Sequence, residues 1–294
     1  MHNFNYLEPT SVEEASRLLT ELEDEEVRFI AGGTALILTM RQRMVQPAHL
    51  ISLGKIDRLR GIQFDPQRGL RIGALERHVD VARSSAVRQH FPMLADMAER
   101  VANPQVRNQG TIGGNLCYGD PSTDPPTCLL ALNASVVLGS ARGERVMPLQ
   151  EFIVDYFETA LEQDEVLVEI HVPPLPPGSV GVYNRFLRTA AEHRPLVTVA
   201  ALVRREGASC LEAQIAVGAS TPVPLRLQRA EDFLRGQVVT PAVAAEAANL
   251  IAQDIEPLSD ARGSAEFRRD MVRAMGRRTL CNIFELSIDE GVLA

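Results

Sequence analysis

Two glycine pairs, Gly32-Gly33 and Gly113-Gly114, are the positions in this 294-residue chain whose type and setting could do chemistry. Glycine lets main-chain N–H groups come close to a ligand and tolerates torsions that a Cβ forbids. The first pair lies in Ala31-Gly32-Gly33-Thr34, after the strand-like run Val27-Arg28-Phe29-Ile30 and before a helical pattern from Ala35 to Met44. A strand–glycine–helix turn offers N–H groups and the positive end of a helix, which suits a pyrophosphate. A plain tight turn uses the same residues. The pair also lacks the G-x-G-x-x-G spacing of a nicotinamide dinucleotide site.

The second pair lies in Thr111-Ile112-Gly113-Gly114-Asn115, read as another glycine turn, and Asp120-Pro121-Ser122-Thr123-Asp124-Pro125 follows it. Asn115, Ser122, Thr123 and Asp124 bring amide, hydroxyl and carboxylate groups that could bond ribose hydroxyls and the polar edge of an isoalloxazine. Asp124 before Pro125 also has the form of a helix N-cap with proline at the first helical position, and both roles can coexist. Tyr118 could lie near a flavin face or simply pack. No acid–base dyad or nucleophile stands out, so no catalytic residue is assigned.

Around these turns the elements follow from periodicity. Ser11 to Glu14 has the capping-box form and opens a helix carrying Val12, Ala15, Leu18, Leu19 and Leu22. Strands are expected at His49–Leu53 and Leu70–Ile72, and helices at Asp80–Val87 and Pro92–Val101, with a break at Asn103-Pro104. Leu129–Leu132 and Ser135–Leu138 continue the fold. In the strand 166–172, alternation places Val166, Val168, Ile170 and Val172 on one face, with Glu165, Glu169 and His171 on the other. Pro173-Pro174-Leu175-Pro176-Pro177-Gly178 then marks a domain boundary between 1–175 and 179–288. Beyond it come strands at Tyr183–Phe186, Leu196–Val203 and Gln214–Val217, then helices near 229–234, 241–253 and 264–280. Strands followed by helices indicate an α+β unit.

The bulk composition excludes several function classes. A formal charge of −8 argues against nucleic-acid binding, though not against one anionic cofactor. No run approaches the roughly 20 apolar residues of a membrane span, and the acidic start does not read as a signal peptide, so a cytoplasmic location is expected. Cys117, Cys128, Cys210 and Cys281 form no C-x-x-C pair, which leaves an iron–sulfur cluster on this chain without ligands. Disulfides are not expected in a reducing compartment, and the six scattered histidines give no metal site.

Taken in order, AGGTALIL at 31–38, TIGGN at 111–115 with its D-P-S-T-D tail, and the acid-led strand at 164–173 resemble the FAD-binding medium subunit of the xanthine dehydrogenase and carbon monoxide dehydrogenase family. The likeness continues through Tyr183-Asn184-Arg185-Phe186 with Arg188, and through the basic segment FRRDMVRAMGRRTL at 267–280. The resemblance implies an α+β fold: a two-subdomain, PCMH-type FAD-binding domain, then a smaller α+β domain with a three-stranded antiparallel sheet and helices. It implies FAD as cofactor, with Ala31, Gly32, Gly33, Thr34, Ala35 and Leu36 on the pyrophosphate. Thr111, Ile112, Gly113, Gly114 and Asn115 would hold the dinucleotide from the other side. Asp124 would bond the flavin or ribitol, and Arg185 stands where many relatives have a lysine near the flavin.

The resemblance also implies partners: a molybdopterin-binding large subunit and a [2Fe–2S] small subunit, assembled as a dimer of heterotrimers. Electrons would pass from the clusters to FAD and on to an external acceptor. Ala35 departs from a position that is often polar, and Arg185 keeps the lysine's charge but not its geometry. Two other readings remain open on sequence. One is a self-contained flavin oxidase tethered through Cys117 or His78; the other is an assembly subunit that has lost its flavin. The basic helix and the strand charges Arg185 and Arg188 can also be plain solvated surface.

Overall fold

The computed structural model describes residues 3–287, so Met1, His2 and residue 288 of the two expected domains lie outside it. A small parallel sheet comes first, built from β1 (Asn5–Leu7), β2 (Val27–Ile30) and β3 (His49–Ser52) in the order β1-β3-β2. The helix Val12–Glu21 crosses between β1 and β2, and Ser11 Oγ accepts from the Glu14 N–H at 3.1 Å. The return bond of the capping box is displaced by one residue. The Glu14 carboxylate takes the Thr10 N–H at 2.7 Å, not that of Ser11.

The second subdomain is an antiparallel sheet with helices against it. Its strands are β4 (Ile62–Asp65), β5 (Gly69–Gly73), β6 (Ser135–Ser140) and β7 (Gly143–Pro148). After a short hairpin of β8 (Ile153–Asp155) and β9 (Glu158–Thr159), β10 (Val166–Val172) enters the middle, giving β4-β5-β10-β6-β7. The helix expected over 80–87 is two helices, His78–Arg83 and Ser85–His90, because Ser84 leaves the helical region and caps the second through its hydroxyl. The preceding helix stops at Arg100, and Asn103, expected as a break, instead begins the next helix, Pro104–Gln109, its side chain accepting from the Val106 N–H at 2.9 Å.

In β10 the expected alternation fails at one point. The register against β6 shifts between Leu167 and Glu169, so one extra residue is accommodated there. Leu167, Ile170 and Val172 consequently enter the helix-covered core, while Val166 and Val168 pack with Val12, Ala15 and Leu75 on the other side. A bulge reverses facing, and the strand thereby serves both cores.

After Pro173–Gly178 the chain forms a second antiparallel sheet. Three long strands, β11 (Ser179–Phe186), β12 (Val197–Glu206) and β13 (Ser209–Gly218), match the expected three-stranded sheet, and a two-residue edge strand, β14 (Leu225–Arg226), makes it four. One face packs on helices Gln228–Leu234, Pro241–Gln253 and Ala265–Phe284 through Val197, Val199, Ile215 and Val217. From the opposite face Tyr183, Ala200, Leu202 and Ala216 join the core of the first domain. The basic segment 267–280 is not plain surface either. Arg268 is buried, donates to the carbonyls of Leu196 and Ala219 at 3.2 and 2.9 Å, and pairs with Asp260.

One ionic cluster ties the larger N-terminal sheet together. Glu169 on β10 is buried and accepts from Arg58 and Arg71, each at 2.8 Å, and from His171. Burial alone would raise its pKa, but these partners outweigh burial and bring it down to about 2 from an ordinary 4.5. A depressed carboxylate stabilises the fold above its unfolded pKa and loses that contribution as pH falls toward the folded value. With both guanidinium groups partly exposed, we expect Glu169→Gln to cost about 2 kcal/mol at neutral pH. The wild-type advantage should shrink by roughly half as pH drops from 5 to 3. Urea-denaturation midpoints across that range check it, and a pH-independent difference would contradict it.

Candidate functional site

The cavity that matters lies where the parallel sheet meets the antiparallel subdomain. β2 ends at Ile30, and Gly33 turns the chain with φ of +68°, a left-handed torsion that glycine adopts without strain. The helix Leu36–Arg41 follows at once. Ile37 and Thr39 donate back to Gly33 and Ala35, but among the described residues the N–H groups of Gly32, Gly33, Thr34 and Ala35 find no acceptor. Four consecutive free donors on a half-buried cavity wall are positioned to take acceptors from a ligand. Anion oxygens suit them best.

The second glycine segment behaves differently from the expected turn. Thr111 caps a helix, Ile112–Tyr118, and both glycines lie within it. Its donors are already used. Ile112 gives its N–H to Glu76 O, Gly113 to Ala74 O, Gly114 to Thr111 Oγ1 and Asn115 to Thr111 O. It therefore has no main-chain donors to offer a phosphate. Here the glycines permit contact instead: a Cβ on Gly113 would lie 2.7 Å from Ala74 O. The same logic joins the two segments, because a Cβ on Gly32 would collide with Gln109 O and come within 2.9 Å of Gly110 Cα. The two segments share one cleft.

That cleft has a volume of about 460 Å³, within the range of small-molecule sites. Ala31, Gly32, Gly33, Thr34, Ala35 and Leu36 line one wall, and Thr111, Gly113, Gly114 and Asn115 another. Ile112 does not reach it and lies fully buried in the core. Asn115 Oδ1 and His78 Nδ1 are buried with no partner among the described residues, and both residues line the cavity. The neighbouring Leu53, Leu75 and Val166 are apolar and buried, as a flat ring system requires. Unpaired donors, one orphaned amide oxygen and apolar walls together fit a dinucleotide cofactor with fused rings.

His78, Cys117, Phe157 and Glu165 also face this space, and no local sequence pattern assigned Phe157 or Glu165 to it. Only the chain's topology brings them there. The two nominal tethering residues are both present but chemically quiet. Burial, aided by Arg107, holds His78 neutral with a pKa of about 4. Burial pushes the Cys117 thiol up to about 12, so it carries almost no thiolate. Glu165 is held by Arg145 at 2.6 Å.

Ser122, Thr123, Asp124 and Arg185 do not line the cavity. The N–H of Ser122 and the hydroxyl of Thr123 bind Asp120, shaping the loop, and Asp120 pairs with Arg194. Asp124 precedes the helix Pro125–Ala131 as expected, yet its side chain makes no cap bond. Instead its buried carboxylate accepts from Tyr183 Oη at 2.7 Å and Arg185 Nη1 at 3.3 Å, both on β11. Burial raises its pKa, while Arg185 and Tyr183 pull the other way. This is a pin between domains. Arg185 is mostly buried and so is not a solvated strand-edge charge, whereas Arg188 is exposed and pairs with Glu192.

Known proteins carry the same architecture. The chain matches the family model described as the FAD binding domain in molybdopterin dehydrogenase over residues 2–175. It matches the model described as the CO dehydrogenase flavoprotein C-terminal domain over residues 182–283. It is 34% identical to the carbon monoxide dehydrogenase medium chain of Hydrogenophaga pseudoflava, covering 94% of this chain and 96% of that one. It is also 34% identical to the 6-hydroxypseudooxynicotine dehydrogenase complex subunit alpha of Paenarthrobacter nicotinovorans, covering 95% and 93%. Among solved structures, carbon monoxide dehydrogenase from Hydrogenophaga pseudoflava superimposes with a TM-score of 0.92 at 35% identity, covering 96% of this chain and 98% of that one. Quinoline 2-oxidoreductase from Pseudomonas putida 86 gives 0.90 at 31% identity, covering 96% and 97%.

The contact at Gly32 gives a direct test of the cleft. We expect Gly32→Ala to force the first segment off Gln109 and weaken FAD binding by roughly 10-fold or more, since an overpacked contact costs about 1–3 kcal/mol. Titration of the flavin-depleted chain with FAD measures this, and wild-type affinity in the variant would show that the close approach does not shape the site.

Proposed function

This chain belongs to the family of FAD-binding medium subunits of carbon monoxide and xanthine dehydrogenases, and we propose from that membership how its residues hold the cofactor and what it assembles with. Its cofactor is FAD, and the protein is the flavin-bearing, electron-transferring oxidoreductase subunit of a heteromeric molybdenum hydroxylase. When bound, FAD supplies the redox chemistry, taking electrons from iron–sulfur clusters and giving them to an external acceptor. The chain's own residues bind, orient and insulate it.

In our reading the N–H groups of Gly32, Gly33, Thr34 and Ala35 receive the pyrophosphate oxygens, and this run of free donors carries the assignment. Ala31 and Leu36 flank them. Ala35 needs no polar side chain for this, because its main-chain N–H is the donor. Thr111, Gly113, Gly114 and Asn115 form the facing wall, with Asn115 Oδ1 accepting from a cofactor hydroxyl or ring N–H. Ile112 anchors that wall from the core. Ser122, Thr123, Asp124 and Arg185 act one step back, fixing the loop and the second domain behind the cavity. The domains divide at the proline segment, 1–175 holding FAD and 179–288 buttressing it.

The partners in this proposal are a molybdopterin-binding large subunit and a [2Fe–2S] small subunit, arranged as a dimer of heterotrimers. Substrate chemistry then belongs to the large subunit. Four free cysteines, three of them buried, favour a reducing compartment, and we place the complex in the cytoplasm. Among the described residues no helix is long and apolar enough to cross a membrane.

A self-contained flavin enzyme tethered through Cys117 or His78 makes the opposite prediction about cofactor attachment. With a protonated thiol and a neutral, unactivated imidazole, we expect acid denaturation to release all yellow colour into the protein-free filtrate. Colour retained on the precipitated chain would refute the non-covalent reading. Affinity purification of the tagged chain from its native host should bring down one molybdenum-bearing and one cluster-bearing chain, and recovery of the chain alone would refute the heteromer.

A further inference from the structure

The buried arginine of the C-terminal helix has no task in the reading above. Arg268, in Ala265–Phe284, is 2% exposed. It pairs at 2.7 Å with Asp260, itself half-exposed, and its Nε–H finds no acceptor among the described residues. Burying a guanidinium in this way is costly, and an apolar chain of similar bulk would serve packing as well or better. What the charge holds is main chain. Nη1 donates to the carbonyls of Leu196 and Ala219, at 3.2 and 2.9 Å.

Both carbonyls lead to the same place in the first domain. Ala219 follows β13 with φ of +61°, a left-handed torsion that alanine keeps only where its surroundings enforce it. Arg268 holds its carbonyl, and its N–H donates to Pro121 O at 3.1 Å. Leu196 lies two residues after Arg194, whose guanidinium binds the buried Asp120 carboxylate at 2.5 and 2.7 Å. Asp120 and Pro121 come directly after Gly119, which ends the helix Ile112–Tyr118. That helix gives Gly113, Gly114, Asn115, Cys117 and Tyr118 to the cavity, whereas Arg194, Ala219 and Arg268 line no part of it. We propose that Arg268 is a positioning residue for the cofactor cleft. Through Ala219 and Leu196 it sets where the second domain grips Asp120-Pro121, and so where the wall helix sits. This inference rests on the FAD reading above and adds to it a control on cofactor affinity exerted from the far side of the second domain.

The test uses the full chain, freed of flavin and titrated with FAD well below its melting temperature, with hydrogen exchange at 112–121 read before FAD is added. Arg268→Met removes the donors together with the buried charge, a replacement that folds commonly tolerate. Arg268→Lys keeps a charge for Asp260 but lacks the planar fork. Each should weaken FAD binding about 3- to 30-fold, the scale of coupling through a chain of contacts, and quicken exchange at 112–121. Ile283→Ala opens a void in the core at the other end of the same helix. It should lower the melting temperature and leave affinity and exchange at 112–121 as in the wild type. Wild-type affinity in both Arg268 variants overturns the proposal. So does an equal loss in Ile283→Ala, which would make the effect a general loosening of the second domain. Should the Arg268 variants be recovered unfolded, Arg194→Met decides, since that side chain is largely exposed. Weaker FAD binding there supports the grip on Asp120-Pro121, and unchanged binding overturns it. A wild-type chain that binds no FAD would instead sink the functional reading, and that result appears before any variant is made.

Discussion

The site depends on one close approach. Residues 31–35 can face the helix at 112–118 only because Gly32 has no side chain to strike the Gln109 carbonyl and Gly110. A Cβ at Gly32 would prise the parallel sheet from the antiparallel subdomain, and the cavity between them would lose its shape. Gly113 does the same service one layer deeper against Ala74. The two glycine pairs therefore divide the work unequally. The first pair leaves donors free along the cavity wall, and the second closes the protein on itself.

This division follows from hydrogen-bond accounting. A helix leaves its first N–H groups without intrahelical partners, and something must satisfy them. At 111–115 the protein does so, through Thr111 Oγ1, Thr111 O, Ala74 O and Glu76 O. At 32–35 it does not. Of two segments alike in glycine content, only the second therefore has its donors committed to protein acceptors, and the order in which strand, turn and helix follow each other decides which.

Much of this was legible beforehand. The capping box, the strand before Gly32, the proline segment and the strands-then-helices order all follow local rules, and the ordered motifs resemble one family along nearly the whole chain. What was not legible has physical causes. The bulge in β10 depends on the register of β6, a strand about thirty residues earlier, so alternation alone puts Val166 and Val168 on the wrong face. The helix at 112–118 contains two glycines, which local propensity disfavours, and tertiary contact with Ala74 requires the first of them, Gly113. Phe157 reaches the cavity from a hairpin that no motif marks, and Glu165 from the residue just before β10, in a segment whose motif says nothing of the cavity.

Asp124 shows why polar residues next to a ligand-binding turn are ambiguous in sequence. Its type and its proline neighbour fit a cap, a cofactor ligand or a structural pin equally well. Burial separates these. A carboxylate sealed from solvent needs donors at hand, and Tyr183 and Arg185 supply them from the other domain. A cofactor ligand must keep an unfilled valence toward a cavity, as Asn115 does and Asp124 does not. The same criterion bears on the electrostatics of the site. In the proposed site the phosphate seat would be built from main-chain dipoles, while Glu165, the carboxylate that reaches the lining, is already paired with Arg145. The cavity thus offers an anion a favourable field without placing an unpaired side-chain charge deep beside the rings, and a net charge of −8 on the whole chain is no obstacle to holding one.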